Sequence, residues 1–236
     1  MADVFAAPPQ PRVPVRGGGE FPIHRIYCVG RNFAEHAREM GAAAPASAAE
    51  RGHPVFFLKP ADAATVDEAV PYPPGTAELH HEVELVVALG RDAGPGVLDP
   101  ADAHALVFGY SVGLDLTRRD LQSAAKAKGL PWDTGKAFDC AAPLGAIVPA
   151  AQTGELGARA LSLEVNGALR QRGSLADLIW NVPEILHELS RLYALRAGDL
   201  VFMGTPAGVG PLRVGDRFRA RLDGVVERSG RIVAGA

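Results

Sequence analysis

Apolar residues in this chain come in short runs broken by glycine and proline, and most runs lack a helical period. His24-Arg25-Ile26-Tyr27-Cys28-Val29, stopped by Gly30, reads as a strand, as do VFFLKP from Val55, HHEVELVVALG from His80 and LVFGYSVGLDL from Leu106 to Leu116. The C-terminal part returns to the same texture in DLVFMG, RFRARLDG and VVERSGRIV, separated by Gly-Asp or Asp-Gly turns. Asn166-Gly167 between LSLEV and ALRQR predicts a hairpin, because both turn positions favour positive φ. Helices are brief. Asn32 is placed to cap one over Phe33 to Met40, which Gly41 closes. Asp99 or Asp102 starts a second, and Thr117-x-x-Asp120 resembles a capping box for a third. Asn181-x-x-Glu184 opens the one long amphipathic helix, PEILHELSRLY. Residues 42–54, rich in Ala, Pro and Ser, read as a mobile loop. With no regular βαβα alternation, the pattern predicts a β-rich α+β fold with strands rolled around a core.

Two acidic clusters interrupt this pattern. In a strand, Glu82 and Glu84 share one face while Val83, Leu85 and Val87 take the other. Adjacent carboxylates repel unless a cation lies between them, and a hard ion such as Mg2+ prefers oxygen ligands. A solvated edge strand with its glutamates in water is the alternative. Asp115, at the end of another apolar run, shifts the balance toward a metal site by offering a third oxygen ligand. His36 and Glu39, three apart, share a helical face, where the carboxylate can hold one imidazole nitrogen and leave the other to take a proton. The alternative there is an ordinary polar pair on a surface helix. Arg119, Gln122 and Lys126 form one stripe on the third helix. Gly204-Thr205-Pro206-Ala207-Gly208-Val209-Gly210 lacks the Gly-Lys-Ser/Thr of a phosphate loop and reads as a substrate-contacting turn. Trp132 and Trp180 read as packing residues.

Composition narrows the class without changing this picture. The chain has 236 residues and a net charge of −3, with its Lys and Arg dispersed, which gives no footprint for nucleic acid or an anionic membrane. Cys28 and Cys140 lack metal-site or disulfide spacing, as expected in a reducing cytosol. Residues 1–22 carry no apolar signal-peptide core, and no run approaches the ~20 residues needed to span a bilayer. One catalytic domain over 23–236 behind a short N-terminal segment, 1–22, in the cytoplasm, is the expectation.

Eight blocks then occur in one order: VGRNFAEHAREMG, FFLKPADA, HHEVELVVALG, GYSVGLDLTRRDLQ, LPWDTGKAFD, VNGALRQRG, DLIWNVPEIL and GDLVFMGTPAGVGP. Together they resemble the fumarylacetoacetate hydrolase family, from about residue 24 to the C-terminus. The resemblance implies a mixed β-roll, a homodimer, and Mg2+ (or Mn2+) held by Glu82, Glu84 and Asp115. It implies a water-activating dyad of His36 and Glu39 on a lid, with Lys136 also catalytic. Arg119, Gln122, Thr205 and Lys59 are implied as substrate contacts. Within the family the blocks look nearest to fumarylpyruvate hydrolases, which cleave a 2,4-dioxo acid to fumarate and pyruvate. Acylpyruvases, oxaloacetate decarboxylases and homoprotocatechuate-pathway decarboxylase/isomerases are near neighbours, and a non-catalytic binding protein is the remote alternative. For a distal carboxylate, Arg31, Arg118 and Arg172 are available cations. Phe33 stands where many relatives carry Tyr.

Overall fold

The computed structural model describes residues 4–39 and 50–235. Most of the expected loop at 42–54, together with Met40 and Gly41, lies outside them. Two sheets carry the architecture. A six-stranded sheet runs Val148–Pro149, Val107–Leu114, Val83–Leu89, Leu200–Phe202, Ile26–Gly30, Val55–Lys59 in spatial order. A five-stranded sheet runs Ala168–Ser174, Ala160–Val165, Arg217–Leu222, Val226–Val233, Ala69–Pro71. Pairing is mostly antiparallel, with parallel pairs only where Ile26–Gly30 meets Leu200–Phe202 and where Ala69–Pro71 meets Val226–Val233 within these two sheets. The chain is thus a β-rich mixed fold with few helices, as the pattern predicts.

The main core lies where the two sheets face each other. Val83, Leu85, Val87 and Leu89 from the first meet the cluster containing Leu161, Leu163, Phe218 and Ala220 from the second. A smaller core covers the opposite face of the six-stranded sheet. There Val86, Ala88, Leu200 and Phe202 pack with Val13, Phe21, Ile23, Ala142 and Leu144. Val13 and Phe21 come from a hairpin of Arg12–Pro14 and Glu20–Pro22, so the N-terminal segment contributes to the same body. Coverage on both faces explains why Val83–Leu89 is buried at every position and why its composition runs apolar without a polar face.

Local signals held in part. Asn166 and Gly167 both take positive φ, at 53° and 78°, and join Ala160–Val165 to Ala168–Ser174. Asn181 and Glu184 form a reciprocal capping box at the start of Val182–Ser190, and Asp99 caps the 3-10 turn Pro100–Leu106. Two expected caps are corrected. Thr117 donates its hydroxyl to the Asp115 carbonyl at 3.1 Å, while Arg118 precedes the helix Arg119–Ala127 with no side-chain cap. Asn32, fully buried, donates to the Trp180 carbonyl (3.0 Å) and the Met203 carbonyl (2.8 Å) and accepts from Trp180 N (2.8 Å). Asn32 serves a tertiary link, its partners arriving from distant segments, and Thr117 bonds back to its own strand end while its hydroxyl oxygen accepts from Lys136 Nζ. Among the described residues no helix is long and apolar enough to cross a membrane.

Candidate metal centre and its cleft

Strand ends bring the three carboxylates together. Glu84 stands within Val83–Leu89, opposite Gly113 of the neighbouring strand, Glu82 immediately precedes that strand, and Asp115 follows Val107–Leu114. Asp115 N donates to the Glu82 carbonyl at 2.8 Å, which fixes the two strand ends against each other. All three side chains are buried, so the solvated-edge alternative is excluded. One oxygen from each lies within 4.8 Å of the others. Octahedral Mg2+, at metal–oxygen distances of about 2.0–2.1 Å, holds ligand oxygens roughly 3–4 Å apart, so the cluster has the right scale.

The charges around the triad are closely paired. Lys136 Nζ donates to Glu82 (2.8 Å), Asp115 (2.6 Å) and the Thr117 hydroxyl (2.7 Å). Arg119 pairs with the other Glu82 oxygen and donates to Gln122 Oε1 at 2.5 Å. Burial alone would raise the Glu82 pKa, yet Lys136 and Arg119 hold it well below the usual carboxylate range. The same carboxylates hold Lys136 charged: burial lowers its pKa, but Asp115 and Glu82 raise it further. Glu84 behaves oppositely. Burial, then repulsion from Asp115 and Glu82, pushes its pKa well up against the pull of Lys136 and of a 2.7 Å hydrogen bond from Gly204 N. Asp115 Oδ1 lies 2.8 Å from Lys59 Nζ as an ion pair, without the alignment of a hydrogen bond, and is otherwise a buried oxygen without a donor. A high-pKa carboxylate beside an under-satisfied one fits a divalent cation, which satisfies both in ionised form.

A cleft opens over this centre. Its walls include His36, Arg119, Gln122, Lys136 and Thr205 beside the triad, so one space collects most of the sequence candidates. His36 Nδ1 lies 3.2 Å from Glu39 Oε2, and the Glu39 carboxylate also accepts from Gly208 N at 3.1 Å. Glycine is required at the two turn positions that donate. Gly204 (φ 93°) would bring a Cβ within 2.7 Å of Asn32 Cβ, and Gly208 (φ 94°) within 2.2 Å of the Arg170 carbonyl. The segment that superficially resembles a phosphate loop therefore spends its backbone N–H groups on Glu84 and Glu39. Lys59 is absent from the cleft wall. It sits behind Asp115, 1% exposed, donating to the carbonyls of Leu116 (3.1 Å) and Lys136. His80 and His81 stand outside the acidic cluster; His81 donates to Gln171 Oε1 at 2.9 Å.

Sequence reasoning missed Gln171. Buried in the five-stranded sheet, it accepts from Val83 N (3.0 Å) and donates to Thr205 Oγ1 and the Pro206 carbonyl (both 2.8 Å), tying the metal strand to the Thr205 turn. Its only signal was a polar residue inside a predicted strand. Trp132, read as packing alone, lines the cleft and stacks near Phe57, ring centroids 6.0 Å apart.

Residues 25–233 match the model of the fumarylacetoacetate (FAA) hydrolase C-terminal family. The chain belongs to the fumarylacetoacetate hydrolase family. Among its solved members, the fumarylpyruvate hydrolase of Pseudomonas aeruginosa in complex with Mn2+ and pyruvate is 44% identical, with a TM-score of 0.90 covering 99% of this chain and all of that one. The oxaloacetate tautomerase YcgM of Escherichia coli (strain K12) is 40% identical over 207 residues, covering 87% of this chain and 91% of that protein. The mitochondrial oxaloacetate tautomerase FAHD1 of Homo sapiens is 38% identical over 208 residues, covering 88% and 90%. The chain is therefore a family enzyme of the hydrolase or tautomerase kind, with a buried acidic triad able to hold a divalent cation.

Proposed function

We propose that this enzyme hydrolyses the C3–C4 bond of a 2,4-dioxo acid, with fumarylpyruvate as substrate and fumarate and pyruvate as products. The observation that carries the reading is a single cleft holding a buried carboxylate triad and, on its wall, a histidine oriented by a fixed glutamate. A divalent cation, Mg2+ or Mn2+, held by Glu82, Glu84 and Asp115 supplies Lewis-acid polarisation of the 2-oxo acid. Glu39, fixed by Gly208 N–H, holds His36 Nδ1 and leaves Nε2 to take a proton from water. That water attacks C4, the C3–C4 bond breaks, the acyl half leaves as fumarate, and the pyruvyl half takes a proton at C3. Lys136, kept charged by its carboxylates, stabilises negative charge developing on the pyruvyl half. Arg119, Gln122 and Thr205 line the same space and orient the substrate. Lys59 acts from behind, on Asp115. A cytoplasmic homodimer is the assembly we associate with this reading.

The relatives named oxaloacetate tautomerases favour a second reading, in which the histidine–glutamate pair moves a proton between the enol and keto forms of oxaloacetate. Sequence reading weighed oxaloacetate only for decarboxylation. Mg2+-dependent turnover of fumarylpyruvate, acetylpyruvate and oxaloacetate, measured side by side, separates the two. Cleavage of fumarylpyruvate to fumarate and pyruvate as the fastest reaction is expected. Inert fumarylpyruvate with rapid oxaloacetate ketonisation would replace the first reading by the second.

A further inference from the structure

One wall of the cleft has no part in the chemistry above. It includes Phe57, Trp132, Lys126 and Arg31, with Phe57 reaching toward the triad, its ring centroid 5.0 Å from Lys136 Nζ. Phe57 and Trp132 supply two apolar ring faces, tilted 57° to each other. Lys126, half-buried on the helix Arg119–Ala127, holds its ammonium 4.9 Å from the centroid of the Trp132 ring. Among the described residues Lys126 has no carboxylate within ion-pair distance, and neither has Arg31. Other cations of the sequence shortlist are committed elsewhere. Arg118 donates to the Thr134 carbonyl at 3.1 Å and lies over Phe138, while Arg172 lines a separate cleft with Phe33 and Pro206.

We propose that Lys126, laid on Trp132 and backed by Arg31, receives a second, distal carboxylate of the substrate and so selects 2-oxo diacids over 2-oxo monoacids. This deepens the reading above and rests on the 2-oxo acid end lying at the triad. An extended unsaturated chain would run along Phe57 and Trp132, with its far carboxylate meeting two cations that, among the described residues, have no carboxylate within ion-pair distance. Burial, then Arg119 and Arg31, pulls the Lys126 pKa down to about 8, the strain expected of a cation lacking its counter-ion. A carboxylate arriving there gains a charge-assisted hydrogen bond and relieves that repulsion.

The test is Lys126→Met, with Lys126→Arg as the conservative control, read in two ways. In turnover, kcat/KM for fumarylpyruvate should fall by about 10- to 100-fold, the scale of a lost hydrogen bond to a charged group, while acetylpyruvate, which lacks the distal carboxylate, changes less than about threefold. In binding to Mn2+-loaded protein, the unreactive 2-oxoheptanedioate should weaken about tenfold or more in Lys126→Met, and 2-oxoheptanoate should not. Lys126→Arg should keep the diacid preference in both. Equal losses for diacid and monoacid, or no loss for either, overturn the subsite. The binding arm decides it even if neither dioxo acid is turned over, an outcome that would instead remove the hydrolase reading.

Discussion

Two walls of one cleft handle charge in opposite ways. At the triad, each cation meets a carboxylate: Lys136 meets Glu82 and Asp115, Arg119 meets Glu82, and Lys59 meets Asp115. On another part of the lining, Lys126 and Arg31 meet none among the described residues. The first wall is complete within the chain except for Glu84 and one oxygen of Asp115, the positions a divalent cation would satisfy. Buried charge is tolerated when it is paired, so the triad declares a cation through what it leaves unpaired; the second wall, with Lys126 half-buried and Arg31 exposed, offers its cations to the carboxylate proposed above.

The largest expected effect comes from breaking the chemistry beside the first wall. Glu39→Gln should lower kcat by about a hundredfold, the usual scale for acid–base catalysis, with Mn2+ affinity unchanged because Glu39 touches no member of the triad. Steady-state kinetics that return wild-type turnover would take the dyad out of the mechanism. A gentler change sharpens the contrast at the second wall. Lys126 titrates near pH 8, among Arg119, Arg31, Glu82 and Lys136. Glu82 and Lys136 are held ionised far from that range. Lys126 is thus cationic below pH 8 and neutral above it. The ratio of kcat/KM for fumarylpyruvate to that for acetylpyruvate should fall by about tenfold between pH 7 and pH 9, following the charged fraction of a group with that pKa. A ratio flat across the range would detach Lys126 from the diacid preference.

Much of the first wall was legible along the chain, and little of the second. Glu82 and Glu84 were readable because strand alternation fixes which neighbours share a face, and Val83, Leu85 and Val87 do point into the main core. Burial of the glutamates was not readable, since Lys136, Arg119 and Gly204, which close around them, come from far away in sequence. Arg119, Gln122 and Lys126 fall on a helical stripe as their spacing requires, and all three line the cleft. What the stripe could not reveal is that it spans both walls: Arg119 faces a carboxylate and Lys126, two turns on, faces an aromatic ring. Asn32 and Thr117 misled because a side chain suited to capping is equally suited to a hydrogen bond elsewhere, to the Met203 carbonyl for Asn32 and from Lys136 Nζ for Thr117, and only the fold decides between them. Family resemblance carried Lys59 and Lys136; the place of Lys59 behind Asp115 is set by strand pairing. Thr205 had a local signal as well, in a turn whose residues read as contacting substrate.

The central claim is that Glu82, Glu84 and Asp115 form one divalent-cation site on each chain. Calorimetric titration of Mn2+ into metal-free protein tests it most directly, with Asp115→Ala as comparison. One Mn2+ per chain, lost in Asp115→Ala while the variant keeps its folded circular dichroism spectrum, is the result this account requires. No Mn2+ bound by the native chain, or equal binding by a folded Asp115→Ala, would contradict it.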